Sequence, residues 1–215
     1  MTIIVHHLEN SRSQRVLWLL EELDLSYEVR RYERNPKTML APPELRRIHP
    51  LGKSPVIEDT DESGAAGNRV VAETGAIVSY LVDKADGRFG PPAKRDDALQ
   101  WRFWLHYAEG SMMPPLLVLL VLGRIPLMGK RAAKRIRPMV DVHLDFVERT
   151  LAAQPWFAGD DITAADIMMS FPLEAARSRA GLGASRPHTI AWLEKVQARP
   201  AYQRALAAGG PYAYA

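Results

Sequence analysis

The chain contains no cysteine. That absence excludes disulfide frameworks, Cys-ligated zinc, iron–sulfur clusters and any cysteine nucleophile of its own. Long hydrophobic runs are missing too. The most apolar stretch, 112–123, is too short to span a membrane and includes Pro114-Pro115. Charge of one sign is scarce: 28 Lys and Arg against 25 Asp and Glu leave +3 over 215 residues. Residues 130–137 hold five basic side chains and no acidic one, so the rest of the chain carries −2. The excess therefore belongs to one helix face and says nothing of a substrate. That face lacks base-stacking aromatics and a nucleic-acid motif, so it reads as solvated. The opening MTIIVHHLEN reaches polar residues too soon for a signal peptide. The expectation is a soluble cytoplasmic protein without nucleic-acid or membrane partners, long enough to bury a core without metals.

What is present alternates at first. Ile3-Ile4-Val5 is a candidate buried strand, followed by polar residues 7–13 and a helix from Arg15 to Leu23 with Val16, Leu20 and Leu23 on one face. Tyr27 to Arg30 reads as a second strand. Residues 42–47 make a short helix with proline at its start, where the missing N–H costs nothing. Val56-Ile57-Glu58 and Arg69 to Ala72 read as a hairpin around a Gly-rich link, and 73–84 as a helix with Ile77, Tyr80 and Leu81 on one face. The order is βαβ then αββα, with a parallel first crossover and an antiparallel last pair. Residues 85–95, with Gly87, Gly90, Pro91 and Pro92, form a linker. Beyond it only helical patterns occur, over 96–122, 130–153, 163–179, 189–198 and 201–207, with Pro114-Pro115 expected to kink or break the first. The plan is α/β plus all-α: an α/β domain over 1–84, a linker over 85–95 and a helical domain over 96–215.

Chemistry belongs where strands end and helices begin. The loop Asn10-Ser11-Arg12-Ser13 opens a helix after a strand, so its free N–H groups and serine hydroxyls can hold an anion, or a serine can simply cap the helix. Ser54-Pro55 follows a Gly-containing turn and precedes a strand. A cis bond there would offer the Ser54 backbone to an extended ligand, although spacing alone favours trans. Glu73-Thr74-Gly75 starts another helix beside a carboxylate, which suits a ligand with both carboxylate and ammonium groups; Thr74 as N-cap is the plainer reading. His6 and His7, adjacent on a strand, point to opposite faces and cannot readily share a metal, so no metal is expected.

The order of these features resembles the cytosolic glutathione transferases. The carrying residues are the Ser-bearing loop, Arg15-Val16-Leu17-Trp18-Leu19-Leu20-Glu21-Glu22-Leu23, His49-Pro50-Leu51-Gly52-Lys53-Ser54-Pro55-Val56-Ile57 and Ala72-Glu73-Thr74-Gly75. Past the linker, residues 157–167 resemble that family's buried N-capping box and Arg199-Pro200-Ala201-Tyr202 its final-helix signature. Thr163 at N-cap and Asp166 at N3 would cap each other's backbone donors, a role in folding worth about 1 kcal/mol.

The resemblance implies a thioredoxin-like first domain, a homodimer, glutathione as co-substrate and detoxification chemistry. It puts the hydroxyl that stabilises the glutathione thiolate on Ser11, with Ser13 and Asn10 as fallbacks. Lys53 would contact the glycyl carboxylate, Ser54 the cysteinyl backbone and Pro55 would be the cis-proline. Glu73 and Thr74 would hold the γ-glutamyl end. Tyr107, Ser111, Met112 and Met113 would line a pocket for a hydrophobic electrophile, and the methionines are equally readable as core. The implied reaction is attack by the activated thiolate on an electrophilic carbon. The alternatives are a glutathione-dependent peroxidase, isomerase or dehalogenase, or a transferase-like binding module without turnover. With no cysteine in the chain, the reactive sulfur must arrive with the substrate.

Overall fold

The structure is a computed structural model and describes residues 2–64 and 67–214. Two units result: residues 2–90 with 198–213, and residues 91–197 with Tyr214.

The first unit is built on four strands and their crossovers: β1 (Ile3–Leu8), α1 (Ser13–Glu22), β2 (Tyr27–Tyr32), α2 (Leu45–Ile48), β3 (Val56–Gly64), β4 (Gly67–Ala72) and α3 (Thr74–Lys84). The sheet order is β2-β1-β3-β4. β1 pairs parallel with β2, while β1–β3 and β3–β4 are antiparallel. The expected thioredoxin-like order, βαβ then αββα, is present. The hairpin strands run longer than expected, and Ala65 and Ala66 of its link lie outside the described residues. Residues 42–44 stay out of the short helix, which is a single turn starting at Leu45.

α1 is buried from Ser13 to Leu20 and not only along the expected stripe. A helix buried all round is covered on more than one side. The second cover is α9 (Pro200–Gly209), which packs on α1. Trp18 and Tyr202 meet edge-on at 5.3 Å, and the Arg199 guanidinium grips the Glu22 carboxylate at 2.5 and 2.9 Å. The C-terminal segment 198–213 thus belongs to the first unit, which corrects its expected place in a helical domain over 96–215. Sequence distance hid this packing, since the contacts join residues nearly the whole chain apart.

The second unit is helical: α4 (Arg95–Tyr107), a π-helical turn (Ala108–Met112), α5 (Met113–Leu122), α6 (Met128–Ala153), α7 (Ala164–Ala180) and α8 (Pro187–Gln197). The proline pair neither breaks nor ends the first pattern. Pro114 and Pro115 have no N–H to donate, and the ladder slips instead, with the Met113 N–H reaching back five residues to the Ala108 carbonyl. By length and composition alone Arg95–Leu122 could cross a membrane. Its buried Trp101, Trp104, Leu105, Met112, Met113 and Leu116 mark it as a core helix of this unit. α7 starts on the expected box: Thr163 Oγ1 accepts from the Ala165 N–H at 3.3 Å, and Asp166 Oδ2 accepts from the Thr163 N–H at 2.9 Å.

Candidate active site

One row across the sheet organises the candidate residues. Val56 of β3 pairs with His6 of β1 on one side and Ala72 of β4 on the other. Past that row β1 runs into the serine loop, β3 is entered through Ser54-Pro55, and β4 leaves through Glu73-Thr74. The register therefore brings three segments, far apart in sequence, to one end of the sheet.

In the serine loop, Asn10 takes a left-handed φ of +49°, and α1 starts three residues later. Ser13 is fully buried, whereas Ser11 keeps 5% exposure. Their hydroxyl oxygens are 2.7 Å apart, and the Ser13 N–H donates to Ser11 Oγ at 3.2 Å. Ser13 Oγ also lies 2.9 Å from His7 Nδ1 and 3.3 Å from the Leu8 carbonyl. The Asn10 carboxamide oxygen is occupied by the Ala213 N–H at 2.7 Å. Burial, then the nearby Arg31 charge, push the His7 imidazole down to about 4, so it is neutral at physiological pH.

The second segment is strapped to the first. Ser54 Oγ donates to the His6 carbonyl at 2.8 Å and accepts from the Leu8 N–H at 3.2 Å, one on each side of His7. The Ser54-Pro55 bond is cis, as the resemblance implies and against the reading from spacing alone. Lys53 is exposed beside it. Gly52 turns the chain at φ +57°, where a Cβ would meet the Arg46 side chain at 2.5 Å.

At the third segment Glu73, not Thr74, is the N-cap of α3, and its side chain makes no cap bond. Glu73 is exposed at φ +72°, a region that non-glycine residues seldom occupy and that clusters at ligand sites. Thr74 is buried as the first helical residue.

In the helical unit Met112 and Met113 are both buried to 2% exposure or less. The Tyr107 hydroxyl, pushed up to about 12 by burial, is 2.5 Å from His143 Nδ1, whose own pKa burial lowers. Ser111 is half-buried in the π-turn. Sequence reasoning missed His143 and the link from His7 to Ser13. An adjacent histidine pair suggests metal binding first, but the two side chains part ways, with His6 bonding Tyr32 and Glu58 at 2.9 and 2.8 Å.

Comparison with known proteins agrees with this fold. The glutathione S-transferase N-terminal domain family matches residues 11–84 and the C-terminal domain family residues 111–200. Glutathione S-transferase 1 of Saccharomyces cerevisiae is 34% identical over 93% of this chain and 92% of its own. A crystal structure of a glutathione S-transferase from Actinobacillus pleuropneumoniae is 34% identical, with a TM-score of 0.85 over 99% of this chain and 95% of that one. A more distant relative, 27% identical over 89% of this chain and 88% of its own, is the disulfide-bond oxidoreductase YfcG of Escherichia coli. The chain belongs to the glutathione S-transferase family.

Proposed function

We propose that this protein binds glutathione at the end of the sheet where Ser11, Ser54-Pro55 and Glu73-Thr74 converge and activates its thiol for attack on hydrophobic electrophiles. That convergence, set by the pairing of Val56 with both His6 and Ala72, carries the reading. The Ser54 backbone pairs with the cysteinyl unit of the tripeptide as a strand edge would. Lys53 attracts the glycyl carboxylate. Glu73 faces the γ-glutamyl ammonium, and the α3 N-terminus its carboxylate. The Ser11 O–H then donates to the thiolate, which the positive end of α1 also favours. A hydrogen bond to the charged form lowers the thiol pKa and raises the fraction of nucleophile near neutral pH. Asn10, with its oxygen occupied, and Ser13, fully buried, are less suited to that contact. Of the residues expected to line the electrophile pocket, Tyr107 and Ser111 remain proposed contacts of the second substrate, whereas the burial of Met112 and Met113 favours the reading of both as core. The protein works as a cytoplasmic homodimer in this reading, with glutathione as the co-substrate of a hydrophobic electrophile.

The kinship to a disulfide-bond oxidoreductase favours a second reading, glutathione-dependent disulfide reduction. With no cysteine in the chain, both reducing thiols must come from glutathione. One glutathione thiolate attacks the disulfide to give a mixed disulfide and a free thiol, and a second attacks the glutathione sulfur of the mixed disulfide, freeing the substrate's other thiol and forming oxidised glutathione. The test is a calorimetric glutathione titration, then turnover of an aryl halide and of a small disulfide by the wild type and Ser11→Ala. Expected are glutathione binding, aryl halide conjugation and a loss of about 10–100-fold in kcat/KM for the variant. Conjugation absent beside rapid disulfide reduction would replace the first reading by the second. Failure to bind glutathione would end both.

A further inference from the structure

The proposed thiolate donor, Ser11, is itself part of a buried row of polar groups that thiolate activation as described does not use. Ser11 Oγ and Ser13 Oγ stand 2.7 Å apart, and Ser13 Oγ stands 2.9 Å from His7 Nδ1. We infer that His7 and Ser13 are positioning residues, forming with Ser11 a one-way hydrogen-bond chain in which His7 Nδ1–H donates to Ser13, Ser13 to Ser11 and Ser11 to the glutathione thiolate. The inference rests on the proposed role of Ser11.

Proton counting sets the direction. Ser13 has one hydroxyl proton and three oxygen or nitrogen neighbours within reach. If that proton went to His7 Nδ1, Ser11 would have to spend its own proton on Ser13 and would have none for a ligand. If it goes to Ser11, the Ser11 oxygen is filled from behind by two donors, the Ser13 hydroxyl and the Ser13 N–H at 3.2 Å. The Ser11 proton is then left for the ligand. The Leu8 carbonyl competes for the Ser13 proton from 3.3 Å, a weaker geometry than the 2.7 Å contact. Donors aligned head to tail polarise one another, so the last member becomes a better donor to an anion.

The opposite flow, in which the thiol proton passes inward to His7, meets an electrostatic barrier. It would create an imidazolium in a buried site beside Arg31, where the imidazole pKa is held at about 4. A thiol near 8.5 gives up its proton to such a base in only about one molecule in 3 × 10⁴. His7 therefore serves as a fixed neutral donor and not as a base. Its ring is confined: His7 is buried, and Gly209 of α9 lies so near that a Cβ there would stand 3.2 Å from Cε1.

The chain is tested by titrating the thiolate ultraviolet absorbance of bound glutathione against pH in the wild type, Ser11→Ala, Ser13→Ala, Ser13→Thr, His7→Leu and His7→Asn, with glutathione affinity measured beside it. Ser13→Ala and His7→Leu should each raise the bound thiol pKa by about one unit, a tenfold loss of thiolate below it, at nearly constant affinity. Ser13→Thr should restore the wild-type value, as should His7→Asn, whose carboxamide N–H stands in for Nδ1–H. A Ser11→Ala shift without a Ser13→Ala shift overturns the chain and leaves Ser11 in place. No shift in either removes the role of Ser11 and the chain with it. Should the buried variants not fold, nitrogen chemical shifts of His7 in the wild type decide alone. A protonated Nδ1 supports the chain, and an unprotonated Nδ1 overturns it.

Discussion

At the starts of α1 and α7 a hydroxyl side chain accepts a backbone N–H, and the two helix ends use it in opposite ways. At α7 the Thr163 hydroxyl takes the Ala165 N–H, and Asp166 gathers the N–H groups of Phe157 and Thr163 at 3.0 and 2.9 Å with the Trp192 indole at 3.3 Å. The first turn supplies its own negative charge, buried and fully engaged. At α1 there is no acidic residue in the first turn, and the N-cap Arg12 makes no side-chain cap. Ser11 Oγ takes the Ser13 N–H, while the N–H groups of Gln14 and Arg15 turn back on carbonyls at 3.3 and 3.2 Å. The two ends share a side-chain chemistry and differ in where the anion comes from. A carboxylate inside the helix compensates the positive terminus for folding, and its absence leaves the positive end of α1 uncompensated, to the benefit of an anion from outside.

The largest expected effect breaks the compensated end. Asp166→Ala strips an acceptor from the Phe157 and Thr163 N–H groups and the Trp192 indole, all in the interior of the helical unit. Buried donors left without partners cost about 1–3 kcal/mol each, partly relieved by relaxation, so a loss of about 3–4 kcal/mol is expected in urea unfolding. A loss below about 1 kcal/mol would mean that the box is ornamental and that the two helix ends do not differ as described.

Acid sharpens the contrast, because each region holds one buried group that titrates abnormally, with opposite signs. Burial lowers His7 from 6.5 to about 4. The unfolded chain takes up that proton first, so stability is lost as pH falls from about 6.5 towards 4. Burial raises Asp166 from 3.8 to about 6, against the hydrogen bonds that favour its charged form. Here the folded chain takes up the proton first, and stability is gained as pH falls from about 6 towards 3.8. Each effect is bounded at about 3 kcal/mol and the two largely offset each other. Relative to wild type, His7→Asn should gain stability between pH 7 and 4.5 and Asp166→Asn should lose it, by about 1–3 kcal/mol each in denaturant titrations at the two pH values. Parallel curves for the two variants would contradict both assignments.

How much of this was legible in the sequence depends on range. The βαβ-ββα order and the Thr163–Asp166 box were readable because they rest on strand periodicity and on residues three apart. The place of α9 was not, since Trp18–Tyr202 and Glu22–Arg199 join opposite ends of the chain. Of the kink or break expected at the proline pair, the break does not occur, because a helix can shift its ladder to i→i−5 where donors are missing, an outcome local propensity does not encode. At the site, Ser11, Ser54-Pro55 and Glu73 could be named from the family pattern. The bond from His7 to Ser13 needed the strand and the helix turn to be folded against each other before six residues of separation became 2.9 Å.

The smallest effect is the most discriminating. Thr163→Ala and Ser11→Ala each delete one hydroxyl at a helix start, and each should cost about 1 kcal/mol of unfolding free energy. On stability alone the two ends would look alike. Saturating glutathione separates them. At a hundred times its dissociation constant a ligand of the folded state adds about 2.7 kcal/mol. Both variants should keep most of that gain, because Thr163 is not among the proposed glutathione contacts and Ser11→Ala leaves those made through Ser54, Glu73 and Thr74. The thiolate absorbance of the bound ligand should then fall in Ser11→Ala and stay unchanged in Thr163→Ala. Loss of the glutathione gain in Ser11→Ala would make the serine a binding contact and not a thiolate donor. An altered thiolate in Thr163→Ala would show that the compensated helix end also serves the chemistry, and the division between the two would fail.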